Sequence, residues 1–469
     1  VLFDGWDSLF REKVMPWRMA MADRLREQFE AQVLPHHLQT QRWYAAKSEA
    51  IERAALVDHA VWAHRERQWV LPLLDVRGSS GSARYFMPLS IAWEDVDDER
   101  IGPFAAAVVA KVRQQAQVGL MGDALFDPEF CRAAAVAMVQ GLVLPAGQGE
   151  VRFTASDELR RVAPEDIEAL DVSRPTVASS NTAVTLGDQL FLKCYRQVRD
   201  GLNPELEIGR YLTDVVRFAN AVPVAGAIEY HGADGQVLTL GLLQAYVPNQ
   251  GDAWEYTLAY LERVLAEWQV APEDAAPADH GAFMTLMRLL GQRTAEMHLA
   301  FAQAPSDDAA FASEPLSAED RSALRNDTEG TVRSTLTLLR ERAGSLAEGA
   351  QADVAQLLDR EAALAARIAA LDGDAPPNQF KTRFHGDYHL GQVLVARNDF
   401  VIIDFEGEPA RPFEERRAKG SALRDVAGML RSFNYARWSA LRRVAQNAED
   451  LAKLGAAASQ REDQVRAGF

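Results

Sequence analysis

The chain has 469 residues, 48% of them hydrophobic and 25% charged, with a formal net charge of −17. At about 150 residues per domain this length holds roughly two to four domains with a sizeable core. The acidic balance argues against a nucleic-acid partner, because phosphate backbones are held mainly by Lys and Arg, but a nucleotide site needs only a few local positive groups and stays open.

There is no run of about 18 apolar residues, so no membrane-spanning helix is expected. The two cysteines, Cys131 and Cys194, form no C-x-x-C pair and read as reduced thiols of a cytoplasmic protein. The N-terminal stretch is acidic and interrupted, unlike a signal peptide. It begins with Val rather than Met, as expected of a piece processed or cut from a longer polypeptide.

In chain order, residues 6–34 read as helix. Trp6, Leu9, Phe10 and Val14, then Met19, Met21, Leu25 and Phe29, recur at helical steps, and Pro16 divides the run. VLPLLDV (70–76) and ARYFMPLSIAW (83–93) read as strands around a Gly/Ser turn. Residues 103–143 are Ala-rich and read as helix. Together these predict a small α+β domain without a catalytic constellation.

A second strand run follows: RPTVAS (174–179), TAVTL (182–186) and QLFLKCY (189–195), then a helix from Asn203-Pro204, then AIEY (227–230) and VLTLGLLQAYV (237–247). Asn203 is a good N-cap and Pro204 suits the first helical position. Residues 252–372 read as mostly helical, with a loop at 304–320 and a turn at 372–379. Residues 381–409 give loop, strand, turn, strand, loop, and more helix closes the chain.

The strongest chemical signal is HGDYHLGQVL (385–394) with VIIDFEGEP (401–409). Phosphoryl transfer needs a carboxylate for the attacking hydroxyl, a metal on the phosphates, and positioning. Asp387 stands where a kinase base stands, Gln392 follows five residues later at the metal-binding amide position, and Asp404 ends an apolar strand. The hairpin turn ARND brings both carboxylates to one end of the ladder.

Lys193 lies on the third strand of the second run, where kinases place the lysine that holds the α- and β-phosphates. Its helix partner is expected to be Glu207, which shares an i+4 face with Tyr211 and Val215; Glu205 is the other acid at that helix start. Ser179, Ser180, Asn181 and Thr182 occupy the phosphate-loop position ahead of Lys193, without the usual glycines. Gln244 and Tyr246 fall at the adenine hinge. His298 reads as a packed core histidine, and His36-His37 has no partner at metal-ligand spacing. There is no Walker or G-x-S-x-G motif. H-G-D in place of H-R-D, and Phe-Glu after Asp404, fit a protein kinase poorly.

These segments, with LRDVAGMLRSFNYA (423–436), closely resemble bacterial maltokinases, members of the aminoglycoside-phosphotransferase-like kinase superfamily. QRWYAAK (41–47) looks like that family's N-terminal cap signature, and the likeness runs from about residue 35 to 440. The opening segment resembles the junction in fused trehalose synthase–maltokinase proteins.

The resemblance implies an α+β, bilobal protein-kinase-like fold with a β-rich N-lobe and a mostly helical C-lobe, preceded by a small α+β cap. The expected boundaries are a helical junction at 1–35, a cap at 36–155, the N-lobe at 156–250 and the C-lobe at 251–469. It further implies Asp387 as catalytic base, Asp404 as principal Mg²⁺ ligand with Gln392 and Glu406, and Lys193 paired to Glu207 on the ATP phosphates. Maltose would be phosphorylated on its anomeric hydroxyl, feeding α-glucan (glycogen) synthesis, with trehalose synthase fused or associated. Relatives commonly continue past this C-terminus with further helices, so the sugar site here could be more open. Two alternatives stand: another small-molecule kinase of the superfamily (for an aminoglycoside, choline or another sugar), or a non-catalytic nucleotide-binding module docking trehalose synthase.

Overall fold

The computed structural model describes residues 2–4, 19–47, 49–94, 102, 105–114, 116–157, 159–175, 181–270, 281–370 and 379–469. The expected helix over 6–18, most of the strand RPTVAS and nearly all of the turn at 372–379 lie outside these residues.

The first unit is built on alternation. Along Arg53–His64 buried and less buried residues alternate over most of the strand, and this strand pairs antiparallel with the equally long Arg67–Gly78. The eight-stranded sheet continues through Leu89–Trp93, Gln117–Asp123 and Val108–Gln114 on one side and Gly81–Phe86 on the other. Val108–Gln114 and Gln117–Asp123 correct the helix expected over 103–143. Ala110 and Val112 are buried while Lys111 and Arg113 are exposed, a two-residue period that overrides the alanine content. Among the described residues of that segment the α-helix is Pro128–Gln140, with 3₁₀ turns at Ala105–Ala107 and Ala124–Phe126.

One face of this sheet carries the N-terminal helical stretch, which runs from Met19 through a π-helical turn to Thr40, beyond the expected end at 34. Leu25, Phe29, Val33, Leu34 and Leu38 pack there against Leu74, Tyr85 and Met121. The other face packs on Pro128–Gln140. That helix is capped by the Asp127 side chain, and Phe130, Cys131 and Ala133 through Met138 are all buried. A helix apolar all round must be covered all round. The second cover is a seven-stranded antiparallel sheet, in spatial order Val172–Ser173, Thr182–Leu186, Leu190–Cys194, Val237–Ala245, Val224–Gly232, Gly149–Ala155 and Val143–Pro145. Residues 143–155 therefore belong to the sheet that carries Lys193, although the sequence boundary at 155 places them with the cap.

One core joins both sheets, from Trp62 and Trp69 through Phe130 and Phe153 to Leu192 and Leu242. Polar stitches cross it. The fully buried Arg196 pairs with Asp123, donates to Thr182 Oγ1 at 2.8 Å and lies over the Trp43 ring. Tyr230 donates to Asp58 at 2.7 Å. After Lys193 the chain leaves its own sheet, adds Gln197–Val198 to the edge of the cap sheet, and returns to the helix Pro204–Arg210.

The C-terminal unit is helical: Ala253–Val270, Gly281–Ala302, Ala318–Arg342, Leu423–Val444 and Ala448–Gly468 are its long members. Its core holds the hairpin Val393–Ala396 and Asp399–Ile402. The hairpin closes through Arg397 and Asn398, both at positive φ, the backbone of a tight two-residue turn.

Candidate active site

Four segments converge between the two lobes. The strand Leu190–Cys194 presents Lys193, and the helix Pro204–Arg210, capped by the Asn203 side chain, presents Glu205 and Glu207. The loop after Lys381 carries His385 to Gln392, and the loop after Ile402 carries Asp404 and Glu406.

Lys193 Nζ lies 2.7 Å from Glu205, 2.8 Å from Asp404 and 2.6 Å from Glu406. Burial alone would lower its pKa, but the three carboxylates outweigh burial and hold the ammonium charged. Glu205 is raised above the usual carboxylate range, by burial first, with Lys193 opposing. Tyr195 donates to it at 2.6 Å, and the buried Gln244 side chain lies 3.3 Å from its other oxygen.

The expected Lys193–Glu207 pair is not formed. Glu205 takes the lysine, and Glu207 turns to the C-lobe, accepting from Arg383 at 2.8 Å and from two nitrogens of Arg417 at 3.1 and 2.8 Å. Residues two apart on a helix face nearly opposite ways. The i+4 stripe used to choose between them does not hold either, since Val215 is 58% exposed.

Asp404 has φ 63°, a conformation uncommon for a residue with a side chain, and both its oxygens are held. Oδ1 accepts from Lys193, and Oδ2 accepts from Gln392 Nε2 at 2.9 Å. Burial works to raise its pKa; Lys193 and Gln392 prevail and keep it below the ordinary range. Glu406 accepts from the Asn181 amide at 3.1 Å, which ties the end of the phosphate-loop segment to the metal loop. Oxygens of Glu205, Asp404 and Glu406 lie within 4.8 Å of one another. This oxygen-only donor set, with the Gln392 amide beside it, fits a hard divalent cation such as Mg²⁺.

Asp387 sits on the other side of the same loop, and burial raises its carboxyl pKa. The loop is fixed by its neighbours. His385 is buried, accepts from the Asp387 N–H at Nδ1 (3.3 Å) and donates from Nε2 to the Ile403 carbonyl (2.9 Å). Gly386 has φ 87°, and a Cβ there would stand 3.2 Å from the Gly407 Cα, so base loop and metal loop touch backbone to backbone.

Asp425, unnoticed in the sequence, accepts from the N–H groups of His385 and Gly386 at 2.9 Å each, and from His298 at 2.9 Å. His298 is thus a packed residue, as expected, with a supporting role. Beside Asp387 opens a cavity of about 620 Å³, bordered by Trp254, His389, Arg424, Arg431 and Tyr435.

Thr182 accepts from Arg196, and Tyr246 begins the segment leaving the sheet, its N–H donating to Gln189 O at 2.7 Å. Ser179 and Ser180 lie outside the described residues.

Residues 178–462 match the profile of the phosphotransferase enzyme family, more than half of the chain. The chain belongs to that family. Residues 37–127 match the maltokinase N-terminal cap domain. A glucosamine kinase of Mycolicibacterium smegmatis (strain ATCC 700084 / mc(2)155) is 26% identical over 257 residues, 55% of this chain and 57% of its own length. One of Streptacidiphilus jiangxiensis is 29% identical over 207 residues, 43% of this chain and 39% of its own. The chain thus spans about half the length of these relatives.

The solved structure of a glucosamine kinase in complex with glucosamine, ADP and inorganic phosphate superposes with a TM-score of 0.58 at 20% identity, covering 92% of this chain and 87% of that one. A glucosamine kinase in another crystal form gives 0.56 at 19% identity, over 89% and 79%. These likenesses establish the capped kinase-like fold. Among the described residues no helix is long and apolar enough to cross a membrane.

Proposed function

We propose that the protein is an ATP-dependent sugar kinase that phosphorylates maltose on its anomeric hydroxyl, giving maltose 1-phosphate and ADP. The observation that carries this reading is the joined pair of loops. Lys193 and Asp404 meet at 2.8 Å on the phosphate side, and Asp387 faces a cavity of about 620 Å³ on the other.

In this account Lys193 holds ATP phosphates, with Glu205 fixing the lysine. The phosphate-loop residues Asn181 and Thr182, with Ser179 and Ser180 before them in sequence, would offer polar donors to the phosphates, and Gln244 and Tyr246 would border the nucleotide. Asp404, Gln392 and Glu406 would hold Mg²⁺, which when bound offsets charge on the transferring group. Asp387 orients the sugar hydroxyl and takes its proton as the new oxygen–phosphorus bond forms and the bond to ADP breaks. His385 and Asp425 hold Asp387 in place. Glu207 acts between the lobes rather than on the nucleotide.

Maltose as acceptor is supported by the match of residues 37–127 to the maltokinase cap domain, and by an indole and a phenol at the cavity rim, Trp254 and Tyr435, suited to sugar faces. A supply of maltose from trehalose synthase, use of the product in α-glucan synthesis and a cytoplasmic location belong to the same reading. A second reading, phosphorylation of glucosamine, is favoured by what the two relatives are called.

The product decides. Incubation with Mg-ATP and maltose should give a phosphorylated disaccharide without a reducing end. Phosphate on any other hydroxyl would overturn the anomeric assignment, and turnover of glucosamine alone would overturn maltose.

A further inference from the structure

The helix Leu423–Val444 meets the base loop at Gly428, where a Cβ would stand 2.6 Å from the Tyr388 carbonyl oxygen. Backbone contact there forces the residues a turn to either side, Arg424 and Arg431, to flank Asp387. Arg424, Gly428, Arg431 and Tyr435 follow at steps of four, three and four, one stripe of the helix, and all border the acceptor cavity.

Charged groups of both signs border that cavity: Arg424 and Arg431, with Asp387 and Glu408. Glu408 is engaged by Arg411 at 2.9 Å, and Arg411 also holds Asp327 and Glu415. Asp425 is buried and taken by His298 and the backbone of His385 and Gly386. The His389 ring lies 4.0 Å from an Asp387 oxygen. Among the described residues Arg424 has no carboxylate within ion-pair distance; its guanidinium lies 5.3 Å from the Phe384 ring centre. Arg431 likewise has only the Tyr435 side chain, donating to its hydroxyl at 3.2 Å. Two guanidiniums without a close ion pair therefore border the acceptor cavity; the carboxylates of Glu408 and Asp387, which line it too, act on them from beyond ion-pair distance.

We propose that Arg424 and Arg431 determine acceptor charge: they donate hydrogen bonds to hydroxyls of neutral sugars and repel sugars carrying a protonated amine. The inference rests on the sugar-kinase reading above and sharpens it. Arg424 is half-buried, so its field is screened less than that of a surface charge. A guanidinium offers five N–H donors and no acceptor, which suits hydroxyl oxygens and excludes an ammonium.

The test compares kcat/KM for maltose, glucose and glucosamine at neutral pH, in the unmodified protein and in Arg424→Gln, Arg424→Glu and Arg431→Gln. The better neutral sugar should exceed glucosamine by about tenfold or more, equivalent to about 1.4 kcal/mol. Arg424→Glu should shrink or invert that ratio, and each Gln variant should shrink it. With the unmodified protein, glucosamine should gain on the neutral sugar as pH rises through the pKa of its amine; with Arg424→Glu it should not gain. A purely structural role would lower all activities together and leave the ratios unmoved, and that result would overturn the proposal. Glucosamine used equally or better by the unmodified protein would also overturn it while leaving the sugar-kinase reading intact. No turnover with any sugar would remove both.

Discussion

Glu207 links the lobes, and its removal should be costly. It lies on the helix that presents Glu205 to Lys193, and its carboxylate accepts from Arg383 and Arg417. Arg383 stands two residues before His385 and is only 2% exposed; among the described residues its one ion pair is with Glu207, and its guanidinium lies 5.1 Å from the Phe311 ring centre. Glu207→Gln would leave that guanidinium buried and unpaired, a loss of about 3–5 kcal/mol. Arg417 is 36% exposed, so Arg417→Ala should cost only about 0.5–1 kcal/mol. Replacing both buried members by apolar residues, Glu207→Leu with Arg383→Met, should recover most of the loss.

The assay is urea unfolding followed by tryptophan fluorescence, comparing midpoints at constant slope. Burial raises the Glu207 carboxyl, but the two arginines win and hold it below its ordinary range. A depressed folded pKa contributes stability that is present above the unfolded value and lost as pH falls through the folded one. The Gln variant and the unmodified protein should therefore converge only in acid, below the usual carboxylate range. A loss under about 1 kcal/mol for Glu207→Gln, or a double variant as unstable as the single, would refute the reasoning.

Three further outcomes follow from the same geometry. Lys193→Met removes the charge that Glu205, Asp404 and Glu406 share, and should lower kcat about 10²–10³-fold in steady-state assays. His37 is buried, and burial lowers its pKa from 6.5 to about 4. The unfolded chain binds the proton first, so cap stability should be whole above pH 6.5 and fall by about 3 kcal/mol as pH drops toward 4; melting of the unmodified protein against His37→Gln checks it. Phe130→Ala opens the core shared by both sheets and should cost about 3–5 kcal/mol by urea unfolding.

Much of this was legible where chemistry demands local sequence. Asn203-Pro204 announces a helix start because cap and first turn need those residue types, and Arg397-Asn398 fits the positive φ of its hairpin. Gln392 was singled out by its five-residue step after Asp387 and Asp404 by its place at a strand end; their side chains meet at 2.9 Å. What local pattern could not settle was choice between near neighbours. Glu205 and Glu207 are equally good helix-start acids, and only the tertiary positions of Lys193 and Arg383 separate them. The Ala-rich stretch before Pro128 misled because alanine's helix propensity is weak against the alternate burial of Ala110 and Val112 in a sheet. Asp425 was hidden because its ligands are backbone N–H groups forty residues away.

The most direct test of the central claim is sugar-dependent ADP release with Mg-ATP, using maltose beside glucose, trehalose, glucosamine and kanamycin, on the unmodified protein and on Asp387→Asn. The account predicts release driven by maltose and abolished in the variant while ATP binding persists. Undiminished release by Asp387→Asn, or release driven only by kanamycin, would contradict it.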